Sequence, residues 1–354
     1  MNGLDFYKDK KVLITGHSGF KGRWLSHWLA KVGADVLGVS LEPVTKEEQK
    51  LVLVFVGNKV ESNWCDIRDF AKMQNIFSQF NPKIVFHLAA QPIVLESYRN
   101  PVDTYSTNVM GTVNLLECVR CSDSVKSVVN ITTDKVYENN EWERGYRETD
   151  RLDGYEPYSN SKSCSELVTG CYKRSFLSEK GVAVSTMRAG NVIGGVDFSP
   201  HRIIPDCVRA VCACEKIKIR NPMSVRPYQH VLDPLYAYMM IAARQYTNPE
   251  LAGCYNVGPE VSDCVTTEHL VNLFCKKWGE GAIWELAECA QPKHEANFLR
   301  LNCSRIKKVF NWQPVWDIEK AVEKTVEWAK VWSDGGDVAS VMDKQIDDFM
   351  EAAK

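Results

Sequence analysis

The sequence predicts an α/β protein built on a doubly wound parallel sheet, with a smaller α+β region towards the C-terminus. Two observations lead to this prediction. Short apolar segments of strand length alternate with longer segments whose apolar residues recur at helical spacing. Beyond about residue 190 this alternation loosens, and Pro, Asn and Arg become more prominent. We therefore expect a first domain over residues 1–190 and a second domain over residues 191–354, with interdigitated boundaries.

The first domain is expected to alternate strands with helices. Lys11–Thr15 is the first strand, because it is mainly apolar and a glycine-rich turn follows at once. Phe20–Lys31 is the first helix, since Trp24, Trp28 and Leu29 recur at helical spacing. The other predicted strands are Asp35–Ser40, Lys59–Ser62, Ile84–Leu88, Ser127–Thr132 and Ala183–Arg188. The other predicted helices are Asp69–Phe80, Asp103–Arg120 and Ser159–Glu179. Strands separated by helices pair in parallel, with helices on both faces of the sheet.

Composition and charge exclude several classes of protein. The chain of 354 residues has a net charge of −2 and a pI near 6.4, which argues against a general nucleic-acid binder with a basic face. No segment approaches the roughly 20 apolar residues that a membrane span needs, and the polar N-terminus predicts no secretory signal. We therefore expect a cytoplasmic protein that binds neither nucleic acid nor membrane.

The thirteen cysteines are scattered through predicted helices and strands, which is typical of reduced thiols in a cytosolic protein. Cys118 and Cys121 have the spacing of a redox or zinc pair, but no second pair lies nearby. A structural zinc site needs four ligands, and the seven histidines form no ligand cluster in the sequence. We expect no metal site.

A glycine-rich turn, Gly16-His-Ser-Gly19-Phe-Lys-Gly22, follows the first strand and opens the first helix. Backbone N–H groups and the helix dipole at such a place hold a pyrophosphate, so the pattern favours a Rossmann-type fold that binds NAD. No arginine follows the second strand to meet a 2′-phosphate, which favours NAD over NADP. Glu42 is either a partner of the ribose hydroxyls or a solvated loop residue. Asp66 is placed either to meet the adenine or to cap a helix.

Tyr158 and Lys162 are four residues apart, which places both side chains on one face of a helix. A tyrosine is a poor base at neutral pH, because its ordinary pKa is about 10. A neighbouring ammonium and a cationic nicotinamide would both stabilise the phenolate and lower that pKa. The pair therefore predicts an enzyme whose first step removes a hydride from an alcohol.

The segment from Thr132 to Tyr137 stands at the C-terminal end of the fifth predicted strand, where catalytic groups gather in parallel sheets. Thr133 is expected to hydrogen-bond a substrate hydroxyl and to guide its proton to Tyr158. Asp134 is a carboxylate beside the cation of Lys135, a pairing that suits separate acid and base roles. The alternative is an aspartate that caps a turn, with Lys135 as its solvated neighbour.

These motifs belong to a longer series that resembles the extended short-chain dehydrogenase/reductase superfamily and, within it, the CDP-glucose 4,6-dehydratase family. The series runs from residue 12 to about residue 330 and covers nearly the whole chain. The matching segments are Thr15–Gly22, His87–Pro92, Ser106–Thr112, Thr133–Lys135, Tyr137–Asn139, Pro157–Lys162, Arg188–Gly195, Arg226–Val231, His294–Ala296 and Trp312–Pro314. The most specific match is the lysine after Asp134, because the dTDP-glucose relatives carry an Asp-Glu pair at this place.

The resemblance implies an internal redox cycle on CDP-glucose in deoxysugar biosynthesis. Tyr158 would take the proton of the sugar 4-hydroxyl while the C4 hydride passes to NAD. The 4-ketone acidifies the C5 hydrogen, and Asp134, protonated through a raised pKa, would release the 6-hydroxyl as water. The hydride then returns to C6, which gives CDP-4-keto-6-deoxyglucose and makes the enzyme a lyase. Lys135 is either the C5 base or a charge that stabilises the enolate while another group or a water removes the proton.

The resemblance also implies two sets of binding residues. For NAD they are Gly16, Ser18, Gly19, Phe20, Gly22, Asp66, Ile67, Leu88, Ala89, Ala90, Gln91 and Asn108, together with Tyr158 and Lys162. For the nucleotide-sugar they are Gln91, Asn191, Arg202, Arg226 and His294. Arg226 is expected at the diphosphate, which suits a planar and permanently charged group. Arg202 and His294 are alternatively a surface ion-pair partner or a satisfied core group.

Four positions depart from the family pattern in substrate-side loops, namely Leu95, Asp153, Val196 and Pro200-His201. These departures leave the identity of the sugar and of the nucleotide base undetermined. They do not affect the prediction of a dehydration reaction. The resemblance further implies a homodimer or a tetramer in which Asp103–Arg120 and Ser159–Glu179 pair across a two-fold axis.

Two other functions remain possible. A nucleotide-sugar 4-epimerase or 4-reductase would keep Tyr158 and Lys162 but needs no acid to expel the 6-hydroxyl, so the Asp134-Lys135 pair argues against it. A non-catalytic nucleotide sensor has no reason to keep a phenolate-generating pair.

Overall fold

The computed structural model describes residues 4–43, 49, 60–287 and 299–354. The strands in chain order are β1 (Lys11–Thr15), β2 (Asp35–Ser40), β3 (Val60–Trp64), β4 (Ile84–His87), β5 (Ser127–Ile131), β6 (Ala183–Ala189), β7 (Val192–Ile193), β8 (Ile217–Ile219), β9 (Val225–Pro227), β10 (Gln229–His230), β11 (Cys254–Val257), β12 (Cys264–Thr266) and β13 (Trp284–Leu286). Within the described residues, seven of these strands form one parallel sheet in the order β11–β6–β5–β4–β1–β2–β3.

Helices connect these strands and cover the sheet. They are α1 (Phe20–Lys31), α2 (Phe70–Phe80), α3 (Val94–Arg99), α4 (Pro101–Tyr105), α5 (Gly111–Cys121), α6 (Pro157–Tyr172), α7 (Ile203–Cys212), α8 (Leu232–Thr247), α9 (Thr267–Trp278), α10 (Ser304–Phe310), α11 (Ile318–Ser333) and α12 (Val338–Ala352). The predicted bounds of the first strand, the first helix and the second strand match those observed. The predicted fold class is confirmed.

The central strands of the sheet are buried on both faces, because their alternate residues enter different cores. Val12 and Ile14 of β1 pack with Trp24 and Trp28 of α1 and with α8 and α12 on one face. Leu13 of β1 packs on the other face, with apolar residues of α2 and α5. Two covered faces explain why these central strands are nearly continuous apolar runs in the sequence.

The helix predicted over Asp103–Arg120 is longer and less regular than expected. It begins at Pro101, and a π-helical segment, Ser106–Met110, joins α4 to α5. A second π segment, Lys173–Leu177, continues α6. Such segments are frequent at functional sites, and periodicity in the sequence does not reveal them.

The C-terminal half forms small sheets beside the C-terminal edge of the main sheet. β7 pairs with β10 in parallel, β9 with β12 antiparallel and β8 with β13 in parallel. The same half contributes β11 to the main sheet, next to β6. Across the described ranges, no helix is both long and apolar enough to cross a membrane.

Candidate active site

The glycine turn between β1 and α1 is closely packed at two of its three glycines. Gly16 has a φ of +78°, and a Cβ there would come within 2.6 Å of the Ala89 backbone nitrogen. A Cβ on Gly22 would lie 2.0 Å from the Gly16 carbonyl oxygen. Only glycine fits at these two positions, because any side chain would collide with backbone atoms of the turn or of the Leu88–Ala89 segment.

Gly19 differs from the other two glycines because its open side faces outward. It is the N-cap residue of α1, and a Cβ there would meet only the Gly16 oxygen, at 3.4 Å, among the described residues. The missing side chain leaves the first turn of α1 accessible, where backbone N–H groups attract an anion. This cradle fits the pyrophosphate of a dinucleotide.

His17 holds the glycine turn against the neighbouring strands. Its Nε2 lies 2.8 Å from the Ser62 hydroxyl of β3, and its ring fills the space where Gly38 of β2 has no side chain. Burial lowers the pKa of His17 to about 4, so the ring is neutral at physiological pH. This arrangement makes His17 a structural residue of the turn.

The two acids considered for the adenosine half differ in their surroundings. Glu42 is exposed just beyond β2. The Asp66 carboxylate accepts hydrogen bonds from the backbone nitrogen of Arg68 at 2.8 Å and from its Nε at 3.0 Å. The N-cap residue of α2 is Asp69, which accepts from the Lys72 nitrogen, so the alternative in which Asp66 caps the helix is wrong. Ile67 is buried next to Gly111.

The Leu88–Gln91 segment after β4 is bound to the π segment of the neighbouring helix. The Gln91 backbone nitrogen donates to Asn108 Oδ1 at 2.8 Å, and Asn108 Nδ2 donates to the Ser161 hydroxyl of α6 at 2.8 Å. The Gln91 carboxamide donates to Thr104 at 2.8 Å and accepts from the Ile93 nitrogen. Gln91 and Asn108 thus connect the segment to α6, which carries Tyr158 and Lys162.

Thr133, Asp134 and Tyr158 form one hydrogen-bonded group at the C-terminal end of β5. The Thr133 hydroxyl lies 2.9 Å from Asp134 Oδ1 and also hydrogen-bonds the Tyr158 phenol. Pro157 starts α6, and Glu156 caps it by accepting from the nitrogens of Tyr158 and Ser159. The first turn of α6 is therefore fixed where it presents the phenol to Thr133.

Asp134 is a buried acid whose pKa is raised. Its side chain is 2% exposed, and burial raises its pKa, while Lys135, Thr133 and Arg226 act in the opposite direction. Its second carboxylate oxygen, Oδ2, is buried without a hydrogen-bond partner among the described residues. A protonated carboxyl with a free oxygen can donate its proton to a ligand.

Tyr158 and Lys162 lie on one face of α6, and burial shifts the pKa of both. Burial raises the pKa of Tyr158 to about 12, while Thr133 and Arg202 act in the opposite direction. The Lys162 ammonium donates a hydrogen bond to the Ile131 carbonyl at 3.1 Å, and burial lowers the pKa of Lys162 to about 8. That Lys162 and a cationic nicotinamide together lower the tyrosine pKa stays a prediction.

Lys21 is a site residue that sequence reasoning missed. It lies in the first turn of α1 and interacts electrostatically with Asp134, Asp197, Lys162 and Arg202. Burial and the two neighbouring cations lower the pKa of Lys21 to about 8. Lys21 lies inside the glycine turn, directly before Gly22, so its proximity to the cofactor cradle could be predicted from the sequence. Its proximity to Asp134 could not be predicted, because the two residues are far apart in the chain.

Two arginines among the residues predicted to bind the substrate place positive charge near Asp134 and Tyr158. Arg226 of β9 is buried and close enough to lower the pKa of Asp134. Arg202 pairs with the buried Asp197 at 3.2 Å and faces Tyr158. Asn191 follows β6, where its carbonyl accepts from the Gln229 nitrogen at 3.0 Å. The other predicted residue, His294, lies outside the described residues.

Two of the positions that depart from the family pattern have left-handed backbones. Val196 has a φ of 73°, which is unfavourable for a β-branched residue, and His201 has a φ of 64°. Asp153 pairs with Arg151 at 3.1 Å, and Leu95 lies half-buried in α3. The loop between Val196 and His201 carries Asp197, the partner of Arg202.

Cysteines and potential metal ligands are dispersed. Cys118 is buried, with its pKa raised to about 12 by burial, and Cys121 is exposed. In the part of the chain that the structure describes, no group of three or more His, Cys, Asp or Glu side chains could hold a metal ion.

Comparisons with known proteins agree with this geometry. The matching family is described as GDP-mannose 4,6 dehydratase, and the match spans residues 13–325. The CDP-glucose 4,6-dehydratase of Salmonella typhimurium (strain LT2) is 44% identical over 354 residues, 98% of each chain. A dTDP-glucose 4,6-dehydratase from Streptomyces venezuelae, solved with NAD and TYD bound, has a TM-score of 0.79 at 23% identity and covers 93% of this chain and 99% of its own. A Thermus thermophilus UDP-glucose 4-epimerase in complex with NAD has a TM-score of 0.77 at 24% identity, with 90% and 98% covered.

Proposed function

This chain belongs to the GDP-mannose 4,6 dehydratase family, and we propose that it converts CDP-D-glucose to CDP-4-keto-6-deoxy-D-glucose and water with NAD as its cofactor. The observation that carries this proposal is the buried Asp134 carboxyl, one hydroxyl away from the Tyr158 phenol. An acid at this point is needed to expel the 6-hydroxyl, and a 4-epimerase or 4-reductase has no such requirement.

The chain's own residues account for the first proton transfer. Thr133 bridges the phenol and Asp134, so a sugar 4-hydroxyl bound at Thr133 is within reach of Tyr158. NAD, when bound in the glycine cradle, supplies the hydride acceptor and a positive ring that stabilises the phenolate. Arg202 contributes a further positive charge on the substrate side. Tyr158 therefore acts as the base, because these charges oppose the effect of burial.

Elimination of water is assigned to the Asp134-Lys135 pair. Asp134 is buried and has a raised pKa, so it donates a proton to the departing 6-hydroxyl. Lys135 is half-buried beside it, where its charge lowers the pKa of Asp134. Two roles fit Lys135, removal of the C5 proton and stabilisation of the enolate, and a variant at this position tests whether it has either of them.

The cations around the site suit a substrate with a diphosphate. Arg226 and Arg202 are assigned to the diphosphate oxygens of the nucleotide-sugar, and Asn191 to the diphosphate or the hexose. Lys21 and the first turn of α1 are assigned to the pyrophosphate of the cofactor. Opposing charge from two bound diphosphates relieves the repulsion among Lys21, Lys162 and Arg202.

We also propose that the protein forms a homodimer or a tetramer through α5 and α6. Leu167 of α6 is exposed, and so are Met110, in the π segment before α5, and Phe176, in the π segment after α6. Sedimentation of the purified protein tests the assembly.

A cytoplasmic location is supported by the cysteines. Those of the described residues are all free thiols, which is typical of a reducing compartment.

The substrate assignment is tested with a panel of nucleotide-hexoses, each incubated with the protein and NAD. Products are resolved by mass spectrometry, and loss of one water marks dehydration. We expect that loss with CDP-glucose, and with UDP- or dTDP-glucose only at much lower rates. An unchanged mass with every hexose, or an epimer of unchanged mass, contradicts the proposal.

A further inference from the structure

Glu166 continues the functional face of α6. It lies four residues beyond Lys162 and eight beyond Tyr158, so the three side chains follow one another along the helix. Its side chain is buried, and it forms an ion pair with Arg188 of β6 at 2.8 Å, where both side chains are at most 2% exposed. A buried carboxylate without a role in the proposed chemistry requires an explanation.

Four hydrogen bonds hold the Glu166 carboxyl group in place. Its Oε1 accepts from the Thr132 hydroxyl at 2.6 Å and from Arg188 Nε at 3.0 Å. Its Oε2 accepts from the Thr186 hydroxyl at 2.7 Å and from Arg188 Nη2 at 2.8 Å. Each oxygen therefore accepts one hydrogen bond from a hydroxyl and one from the Arg188 guanidinium.

The first of these bonds connects Glu166 to the catalytic segment. Thr132 directly precedes Thr133 at the end of β5, and its hydroxyl also lies 3.3 Å from the Met187 carbonyl. Arg188 extends the same network, because its Nη1 donates to the Tyr137 hydroxyl at 2.9 Å. The residues on both sides of Thr133 and Asp134 are therefore held by one buried ion pair.

Glu166 also acts on Lys162 through its charge. Burial lowers the pKa of Lys162 to about 8, and the negative charge of Glu166 raises it. The other titratable groups that face Lys162 come from different elements: His87 of β4 is neutral, with a pKa of about 3, and Lys21 of α1 is a cation that repels it. Tyr158, on the same helix, is a neutral phenol in the resting protein because burial raises its pKa to about 12.

We propose that Glu166 is a positioning residue of this enzyme, which acts through its charge on the Lys162 ammonium one helical turn away and holds Thr132, at the start of the Thr132–Asp134 segment, through a hydrogen bond. The role in catalysis rests on the proposed function. The effect on Lys162 does not, since it concerns only the resting protein.

The test compares Glu166→Gln with Thr186→Val. The first removes the charge and keeps the shape, whereas the second removes one hydrogen bond of Glu166 and keeps the charge. The double variant Glu166→Gln/Arg188→Met avoids an unpaired buried guanidinium, so it removes the Glu166 charge together with that of its partner if the single variant does not fold. Titration of the buried Lys162 side chain by NMR over a series of pH values, with the lysines labelled with ¹³C at Cε, reports its proton affinity without substrate.

We expect the titration midpoint of Lys162 to fall by roughly one pH unit in Glu166→Gln, to fall by less in the double variant, which also loses a cation, and to stay in place in Thr186→Val. The alkaline limb of the kcat profile with CDP-glucose should move in the same direction. An unmoved midpoint, an equal shift in Thr186→Val, or a double variant that fails to fold overturns the proposal. A shifted midpoint without any turnover of CDP-glucose instead counts against the proposed function alone.

Discussion

The free carboxylate oxygen of Asp134 lies against Gly190, where a Cβ built on the glycine would come within 2.9 Å of it. The same Cβ would meet Pro227 at 2.8 Å. Gly190 follows β6, and its φ is not in the left-handed region, so close packing rather than backbone conformation requires a glycine here.

Gly190→Ala should therefore displace Asp134 and lower kcat by roughly tenfold to a hundredfold, because small errors in position are costly for an acid that must meet its leaving group. Gly258→Ala is the matched control, since a Cβ there finds its nearest contact at an ordinary 3.5 Å. Steady-state kinetics on both variants checks the prediction. Equal kcat values for Gly190→Ala and the parent protein would show that Asp134 tolerates the methyl group.

Asp134→Asn should lose activity and gain stability. Removal of the acid is expected to lower the rate of water loss by about 10²–10⁴-fold. Burial raises the pKa of Asp134 in the folded protein, so its contribution to stability is fully present at low pH and is lost as pH rises through that raised pKa. At neutral pH an amide avoids this cost, and denaturant titration should give a higher free energy of unfolding for the variant. A variant with a lower free energy of unfolding would mean that the neighbouring charges and hydrogen bonds offset the cost of burying the Asp134 carboxylate.

Much of the architecture was predictable because strand and helix periodicity depend on local sequence. Phe20–Lys31 begins and ends as its apolar spacing indicated, and Tyr158 lies on a helix with Lys162 as their spacing required. The π segment Ser106–Met110 was not predictable, since its apolar pattern is close to that of an α-helix.

The electrostatics of the site were less predictable, because they depend on burial and on contacts across the fold. Burial raises the pKa of Asp134, as the predicted acid requires, and it also raises the pKa of Tyr158 to about 12, which helical spacing alone does not reveal. Lys21 approaches Asp134 across more than a hundred residues of sequence, and spacing carries no information about that contact.

Lys21→Met should weaken NAD binding by about tenfold, which is the loss of one charge-assisted contact to a pyrophosphate. Isothermal titration of the purified protein with NAD measures it, with the exposed Lys83→Met as control. The pKa of Lys21 is about 8, so the affinity of the parent protein should fall as pH rises through that value. That fall should be smaller in the variant. Equal affinities for parent and variant at pH 7 would remove Lys21 from the cofactor site.

Lys135→Met separates the two roles of that lysine from a structural one. If Lys135 removes the C5 proton or stabilises the enolate, exchange of the C5 hydrogen with solvent deuterium should slow by about 10²-fold or more. Exchange is followed by NMR of the sugar, and the exposed Lys126→Met is the control. Exchange at the parent rate would exclude both roles.

The chemistry proposed for this site moves one hydride from C4 of the sugar to C6. CDP-glucose deuterated at C4 tests this transfer, with NMR and mass spectrometry of the product. We expect deuterium at C6 of a product that has lost one water, and none in the Tyr158→Phe variant. Deuterium that stays at C4, or that is released to solvent while water is lost, would contradict it.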